Sequence, residues 1–298
     1  IYASETIISK DNQRNFDYGI ELRDIIKNTS AKNLITTFEG HSWEKIFFYY
    51  ARKANKNINC IGYQHSLIFK YNHSILRKIE YSYSPNYVFA SGKSTANILE
   101  KKLSNKTNIK LFGNHKYKKN NLIKSFNLKN NILFLPSGEI EEATYMTNFA
   151  INLARLSPES EIIIRYHPIL KKEFSKVKNF KNFSKSTSKI IEDCKNSRWA
   201  IYSSSTAIFE AIQYGCMPIN LLGEKLICIN DPLWQINRKL INNIKTINDL
   251  LLIIKKTAPG KNEKSMSQEY RSLLKNLNYL ICKNKKDLLI KINLINNV

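Results

Sequence analysis

The sequence predicts an α/β protein of two doubly wound domains, and three observations carry that expectation. Short apolar runs alternate with longer amphipathic stretches, the alternation occurs twice, and a polar, basic segment separates the two series. A chain of 298 residues suits two domains of roughly 100–200 residues each.

In the first series the apolar runs are Leu34–Phe38, Cys60–Tyr63, Tyr87–Ala90 and Ile109–Phe112, with helical patterns at Trp43–Asn55 and Lys93–Lys102. In the second they are Ile132–Leu135, Ile162–Ile164, Trp199–Tyr202 and Ile219–Leu222, separated by helical patterns near Glu141–Leu156, Ser188–Asn196 and Thr206–Tyr214. Between the series, Gly113–Asn121 combines turn formers with lysines and reads as a linker. This sets an N-terminal domain over 1–120, open to truncation at its start because the chain opens on Ile1 without Met, and a C-terminal domain over 121–298. Beyond Lys225 the pattern changes to Lys/Asn-rich amphipathic helices at Ile247–Lys256 and Gln268–Leu280, with a breaker at Pro259-Gly260. Two doubly wound domains facing a central cleft bring the carboxyl ends of both sheets to it, where such folds bind ligands.

Composition narrows the function classes. With 43% hydrophobic residues the chain buries a real core, which excludes wholesale disorder, collagen-like repeats and a disulfide scaffold. The five cysteines are scattered, with no Cys-x-x-Cys pair, and read as reduced core thiols of a cytosolic protein. No window approaches the ~18 uninterrupted apolar residues of a membrane-spanning helix. Lys and Arg number 47 against 24 Asp and Glu, a formal charge of +23, so a polyanion or an anionic membrane surface is the expected partner. The lysines are dispersed, and Lys116–Lys119, Lys171-Lys172 and Lys283–Lys286 do not interleave with aromatics, which argues against nucleic acid.

The residues just after the apolar runs carry the chemistry. Phe38-Glu39-Gly40-His41-Ser42-Trp43-Glu44 places an acid, a glycine and a histidine where a strand turns into a helix. A carboxylate there suits proton transfer from a hydroxyl, and Gly40 would let the backbone approach a ligand. Helix capping by Glu39 and His41 accounts for the same residues equally well. Gln64 and His65 follow the next run, with a buried, satisfied His65 the plainer reading. In the second series, Ser137-Gly138 opens a strand-to-helix loop whose N–H groups suit a phosphate. Arg165, Tyr166, His167 and Pro168 end an all-apolar strand, where a cation and an imidazole would stabilise a departing phosphate, although a Pro-capped turn has the same signature. Ser203, Ser204, Ser205 and Thr206 give four consecutive hydroxyls at an expected helix N-terminus, more than an N-cap requires. Glu210, one turn after Thr206, is within reach of a ribose diol.

Behind that hydroxyl cluster, Glu210-Ala211 with Gly215 and then Pro218-Ile219 resembles the donor-nucleotide region of GT-B glycosyltransferases, with one extra residue before the proline. The order Phe38-Glu39-Gly40, His167-Pro168, Ser203–Thr206 resembles the motif trio of bacterial sialyltransferases and capsule 3-deoxy-octulosonate transferases, which use CMP-sugars. Glu39–Lys45 with Gly62–Ser66 is similar to a broad group of surface-carbohydrate biosynthesis proteins. The resemblance runs to about Leu222 and implies a GT-B fold of two Rossmann-like domains with C-terminal helices.

It further implies Glu39 as general base, His167 on the donor phosphate and Ser204, Ser205 and Thr206 on CMP. Phe38 stands where such motifs often carry a second acid, so the base lies between Glu39 and Glu44. The activity implied is transfer of a sugar, foremost a CMP-linked acidic one, to a surface polysaccharide or lipid-linked glycan by a metal-independent enzyme without a cofactor. The acceptor would meet Gly40, His41, Glu44, Gln64 and His65, and the donor Ser137, Gly138, Arg165, His167 and the hydroxyls. A CDP-linked polyol-phosphate transferase and a UDP- or GDP-sugar transferase are the alternatives. The expected location is cytoplasmic, peripheral on the inner face of a bacterial inner membrane.

Overall fold

The computed structural model describes residues 9–71, 74–77, 79–103, 106–113, 126–127, 129, 131–223, 230–236, 241–256 and 262–277. They fall into two compact units: residues up to Ile68 with Asn72–Lys118 and those from Lys275 on, and Lys119–Leu274 with Phe69–Tyr71.

Unit 1 is built on a four-stranded, all-parallel sheet in the order β1-β2-β3-β4: Asn33–Thr37, Asn59–Gln64, Tyr87–Ala90 and Asn108–Leu111. Before it comes helix α1, Lys10–Thr29, which the sequence reading lacked. The Ser9 hydroxyl caps it by accepting the Asn12 N–H at 3.3 Å, and it ends on Ser30 at φ +52°. Its buried positions are Gly19 and Ile26. At Gly19 an added Cβ would lie 2.6 Å from the Tyr50 ring, so the missing side chain lets α2, Ser42–Ala54, pack directly on α1. Phe48 and Ala51 of α2 join Cys60, Val88, Ala90 and Leu99 in the core, the last from α3, Lys93–Lys102.

Unit 2 holds a six-stranded parallel sheet in the order β7-β6-β5-β8-β9-β10. The strands are β5 Ile132–Leu135, β6 Ile162–Ile164, β7 Phe183–Lys185, β8 Trp199–Tyr202, β9 Met217–Leu221 and β10 Asn242–Ile244. Counted from β5 this is the 3-2-1-4-5-6 order of the doubly wound fold, whose direction of growth reverses between β5 and β8. Strands β5, β8 and β9 are buried at every position, as expected for parallel strands covered on both faces. Helix α4, Ile140–Leu156, buries Ala143, Met146, Ala150 and Leu153 along one stripe. Truncating one such large core side chain to Ala costs about 2–5 kcal/mol.

Helices α5, Ile190–Lys195, and α6, Ile208–Gln213, are shorter than their sequence patterns, and α6 starts two residues after Thr206. Helices α7, Ile247–Lys256, and α8, Asn262–Leu277, follow. Strands β7 and β10 were absent from the sequence reading. The expected linker beyond Gly113, the breaker Pro259-Gly260, the end of the last helix at Leu280, and Cys228 and Cys282 lie outside the described residues. Cys60, Cys194 and Cys216 are buried and free, and burial pushes the Cys60 thiol up to about 11.

Candidate functional site

Two clusters of polar side chains stand at strand ends, one in each unit. In unit 1, β1 runs into Phe38, whose N–H donates to Tyr63 O at 2.9 Å and keeps the chain beside β2. The next three N–H groups, of Glu39, Gly40 and His41, all donate to the Glu44 carboxylate at 3.0, 2.8 and 2.9 Å, and Thr37 Oγ1 adds a fourth bond at 3.2 Å. Glu44 is fully buried, and its charge fills the concavity that these amides form at the start of α2. This corrects its place as an acceptor-binding residue or second candidate base: its lone pairs are taken by the loop that it shapes.

Gly40 also has a role other than the expected approach to a ligand. It sits at φ +88°, and an added Cβ would lie 2.2 Å from the Ser74 carbonyl carbon and 2.3 Å from Ile75 N. It is glycine because the chain at Ser74–Ile75 crosses against it. Gln64, expected to meet the acceptor, is 1% exposed; its amide donates to Ser66 O and accepts from Ser91 Oγ at 3.4 Å. It ties the ends of β2 and β3 together and is withdrawn from solvent.

Glu39, His41 and His65 do converge. Glu39 Oε1 lies 3.1 Å from His65 Nε2 and Oε2 lies 3.6 Å from His41 Nε2. The side chains are 28%, 56% and 40% exposed in the order Glu39, His41, His65, so a solvent-borne substrate can reach them. His65 is therefore not the buried, satisfied residue that the plainer reading expected. Its ring stacks on Tyr63 with centroids 5.9 Å apart, and Tyr63 Oη donates to Gly113 O at 3.0 Å. Burial raises the Tyr63 hydroxyl above its usual pKa, so this ring is a neutral platform.

In unit 2 the loop after β5 repeats the design. The Ser137 N–H donates to Glu142 Oε1 at 2.9 Å, across the same five-residue step as Glu39 N–H to Glu44. Gly138 then corresponds to Gly40. Here the carboxylate reaches farther, because Ser204 Oγ, from the loop after β8, donates to Glu142 Oε2. Glu142 is 6% exposed and so clasps the β5 and β8 loops across the point where the strand order reverses. The sequence reading missed it; the signal was a Glu at the offset from Ser137 that Glu44 has from Glu39.

The loop after β6 adds His167. An added Cβ at Gly138 would lie 3.4 Å from His167 Nδ1, so the two loops touch where Gly138 has no side chain. His167 Nδ1 accepts the Ile169 N–H at 3.4 Å at the head of the one-turn 3₁₀ helix Pro168–Leu170, and His167 is itself exposed. The capping and the ligand-facing readings of His-Pro are compatible, because the cap engages only Nδ1 of an exposed ring. At the end of β9, Gly223 leaves room for the Tyr145 ring of α4 at 2.7 Å from where its Cβ would be.

Three donor-site expectations are corrected. Arg165 Nη1 donates to Asp193 Oδ2 at 2.7 Å, to Ser188 O at 2.7 Å and to Ser186 Oγ at 3.0 Å, so its charge is paired with a buried carboxylate. The Ser137 N–H serves Glu142 and the Glu139 N–H serves Ser137 Oγ, so two of the loop amides expected to face a phosphate are engaged. Of the four hydroxyls, Ser203 and Ser205 are 2% and 7% exposed, leaving half-buried Ser204 and exposed Thr206 at the surface. Glu210 is half-buried on α6. Asp231 was also missed: it is buried, and its Oδ1 accepts from Leu233 N–H at 2.8 Å and Tyr202 Oη at 3.4 Å beside the end of β8. Its only sequence signal was the Asp231-Pro232 turn.

No protein-family model matches the chain, and no curated protein sequence matches it either. Solved structures do. A glycosyltransferase of kitacinnamycin superposes with a TM-score of 0.59 at 8% identity, over 97% of this chain and 84% of its own. UDP-GlcNAc 2-epimerase of Methanocaldococcus jannaschii, in complex with UDP-GlcNAc and UDP, gives 0.53 at 13%, over 89% and 82%. S. aureus TarM, in complex with fondaparinux, α-GlcNAc-glycerol and UDP, gives 0.51 at 14%, over 92% of this chain and only 58% of TarM. The chain thus spans less than two thirds of TarM's length. At such identities the likeness is one of architecture: the chain has the GT-B fold, an α/β chain with two Rossmann-like units on parallel sheets.

Proposed function

We propose that this protein is a glycosyltransferase that holds a nucleotide-sugar donor at the carboxyl ends of β5, β6 and β8 and serves a hydroxyl acceptor at the Glu39 cluster. The observation that carries the reading is the clasp at the strand-order reversal of unit 2, where Ser137, Gly138, Ser204 and Glu142 form one edge and His167 the next. Doubly wound sheets bind nucleotides at that point. The fold neighbours support the class, since a glycosyltransferase and TarM are among them.

The mechanism follows from which groups are uncommitted. His167 accepts through Nδ1, so its Nε2–H is the donor left for the leaving phosphate. Exposed Thr206 offers a hydroxyl on the loop after β8. The start of α4 carries Glu141 and Glu142, which already answer the positive end of its dipole, so phosphate contact falls to His167 and Thr206 rather than to that helix end. In unit 1, the Glu39–His41–His65 cluster is the group suited to taking up the proton of an acceptor hydroxyl.

A UDP-linked donor is favoured by the M. jannaschii epimerase and TarM, both solved with UDP. A CMP-linked acidic sugar is the second reading, favoured by the order of Glu39-Gly40, His167-Pro168 and Ser203–Thr206. A glycan or lipid-linked acceptor at a membrane surface is in keeping with the +23 charge, and among the described residues no helix is long and apolar enough to cross a membrane. Calorimetric titration with UDP, CMP, CDP and GDP tests the donor. One nucleotide should bind at least tenfold tighter than the rest and lose that margin in His167→Ala; equal, unspecific binding of all four would defeat the reading.

A further inference from the structure

We infer that the crossover between β6 and β7 is a docking surface for an anionic lipid bilayer. The inference goes beyond the transferase reading and does not depend on it. Strand order makes β7 the edge of the unit 2 sheet, and the chain reaches it from β6 through residues 165–182 with no helix longer than the one-turn Pro168–Leu170. Lys171–Lys185 holds six lysines and one acid, Glu173. Lys171, Lys172, Lys176, Lys178 and Lys181 are exposed, and among the described residues none of the five is in an ion pair. The pair Lys171-Lys172, isolated in the sequence reading, is thus the start of a basic lobe. The lobe is tied from within. Ser175 Oγ donates to Lys172 O at 2.7 Å, Lys185 Nζ donates to Ser175 O at 2.7 Å, and the Lys185 N–H donates to Asn179 Oδ1 at 2.9 Å. Phe180 and Phe183 exchange two backbone bonds of 2.9 Å. The sixth lysine therefore holds the lobe in shape, and the other five are left to solvent.

Three features select a bilayer over a soluble polyanion. The crossover exposes apolar side chains along with its charges: Ile169 is 69% exposed, and Phe180, between Lys178 and Lys181 in the chain, is 40% exposed. A lysine lays its stem along the acyl boundary while its ammonium stays with the headgroups, and an apolar neighbour gains by entering that boundary. A polyphosphate chain in water offers those side chains nothing. Every cation of Lys171–Lys185 is a lysine, a point charge suited to a diffuse plane of headgroups, whereas arginine is the residue that grips a single phosphate through two bonds. Single-stranded nucleic acid needs open ring faces on which bases stack. The rings of the lobe are already paired, Phe174 with Tyr166 at 4.5 Å and Phe180 with Phe183 at 5.1 Å between centroids.

The test uses the full chain and needs no nucleotide. In cosedimentation at about 0.1 M salt, the protein should bind vesicles of phosphatidylcholine with about one quarter phosphatidylglycerol and leave pure phosphatidylcholine vesicles unbound. Each lysine near such a surface contributes about fivefold, so Lys172→Gln/Lys176→Gln/Lys178→Gln should lose about 100-fold. Lys93→Gln/Lys101→Gln/Lys102→Gln on α3 removes the same charge from exposed positions of unit 1 and should lose less than about fivefold. Phe180→Ser should lose about tenfold, with the salt dependence kept. Melting temperatures show that each variant is folded, and hydrogen exchange on the wild-type chain needs no variant: vesicles should protect residues 171–182. Equal binding to neutral vesicles, equal losses in the two triple variants, an unchanged Phe180→Ser or protection confined to other segments overturns the inference. So does binding of a single-stranded RNA oligonucleotide, lost in the first triple variant, by a protein that ignores both vesicles. Vesicle binding as expected in a protein that takes no nucleotide sugar defeats the transferase reading and leaves this one standing.

Discussion

Replacing Glu142 separates the clasp from the rest of unit 2. Its carboxylate takes two hydrogen bonds, from Ser137 N–H and from Ser204 Oγ, at 6% exposure. Glu142→Ala leaves both donors without their acceptor, and a buried unsatisfied donor costs about 1–3 kcal/mol. Ser137 and Ser204 are half-buried, so water replaces part of what is lost, and about 2–3 kcal/mol in total is the expected destabilisation. For a unit of this size that is a fall of about 5–10 °C in Tm. Glu142→Gln should cost about half as much, because its amide oxygen still accepts one of the two bonds. Nucleotide affinity should fall about tenfold in the Ala variant as the β5 and β8 loops part, an effect of about 1.4 kcal/mol. Thermal unfolding and calorimetric titration measure the two effects. An Ala variant that melts with the wild type and binds nucleotide as tightly would refute the clasp.

Two further outcomes are expected. Gly40→Ala should destabilise unit 1 by about 3 kcal/mol or more in denaturant unfolding, because it combines a positive φ with a collision against the Ser74–Ile75 backbone. Gly138→Ala, whose new Cβ would meet His167 at an ordinary 3.4 Å, should cost about 1 kcal/mol or less by the same measurement. The second concerns alkaline pH. The Cys60 thiol rises from 9.0 when free to about 11 when folded, so the folded form holds its proton longer. Its stabilising effect is whole below pH 9 and is lost as pH climbs towards 11, on the order of 2 kcal/mol. Cys60→Ala should flatten that part of the stability profile, as read by urea midpoints at successive pH values.

The central strands were legible because burial on both faces leaves a run of apolar residues, as in Ile132–Leu135 and Trp199–Tyr202. Edge strands have no such need. Phe183–Lys185 and Asn242–Ile244 close the two ends of the unit 2 sheet with three residues each, two of them polar in each strand, and carry no period to read. Helix α1 escaped for a related reason: it packs through Gly19 and Ile26, while Phe16, Tyr18 and Ile25 face outward and blur the apolar stripe. At the candidate sites, position after a strand was the signal that singled out Glu39, His41, His65 and His167, and the structure brings the first three together. What it could not show was which neighbours already hold a polar group. Arg165 looks free in sequence because Asp193, its partner, lies 28 residues on, and Glu44 looks available because nothing in the letters says that three amides turn towards it.

The twin loops after β1 and β5 differ in when they can acquire their shape. The first is autonomous: Glu44 finds every donor it needs within seven residues, so the loop closes as soon as the first turn of α2 winds. The second is contingent: half of Glu142's partnership comes from Ser204, 62 residues later, and waits until β8 is laid beside β5. A nascent chain can therefore finish the loop after β1 long before the loop after β5 exists in final form. Under the proposed function, a nucleotide present during refolding would act on the step that lays β8 beside β5, and not on the loop after β1.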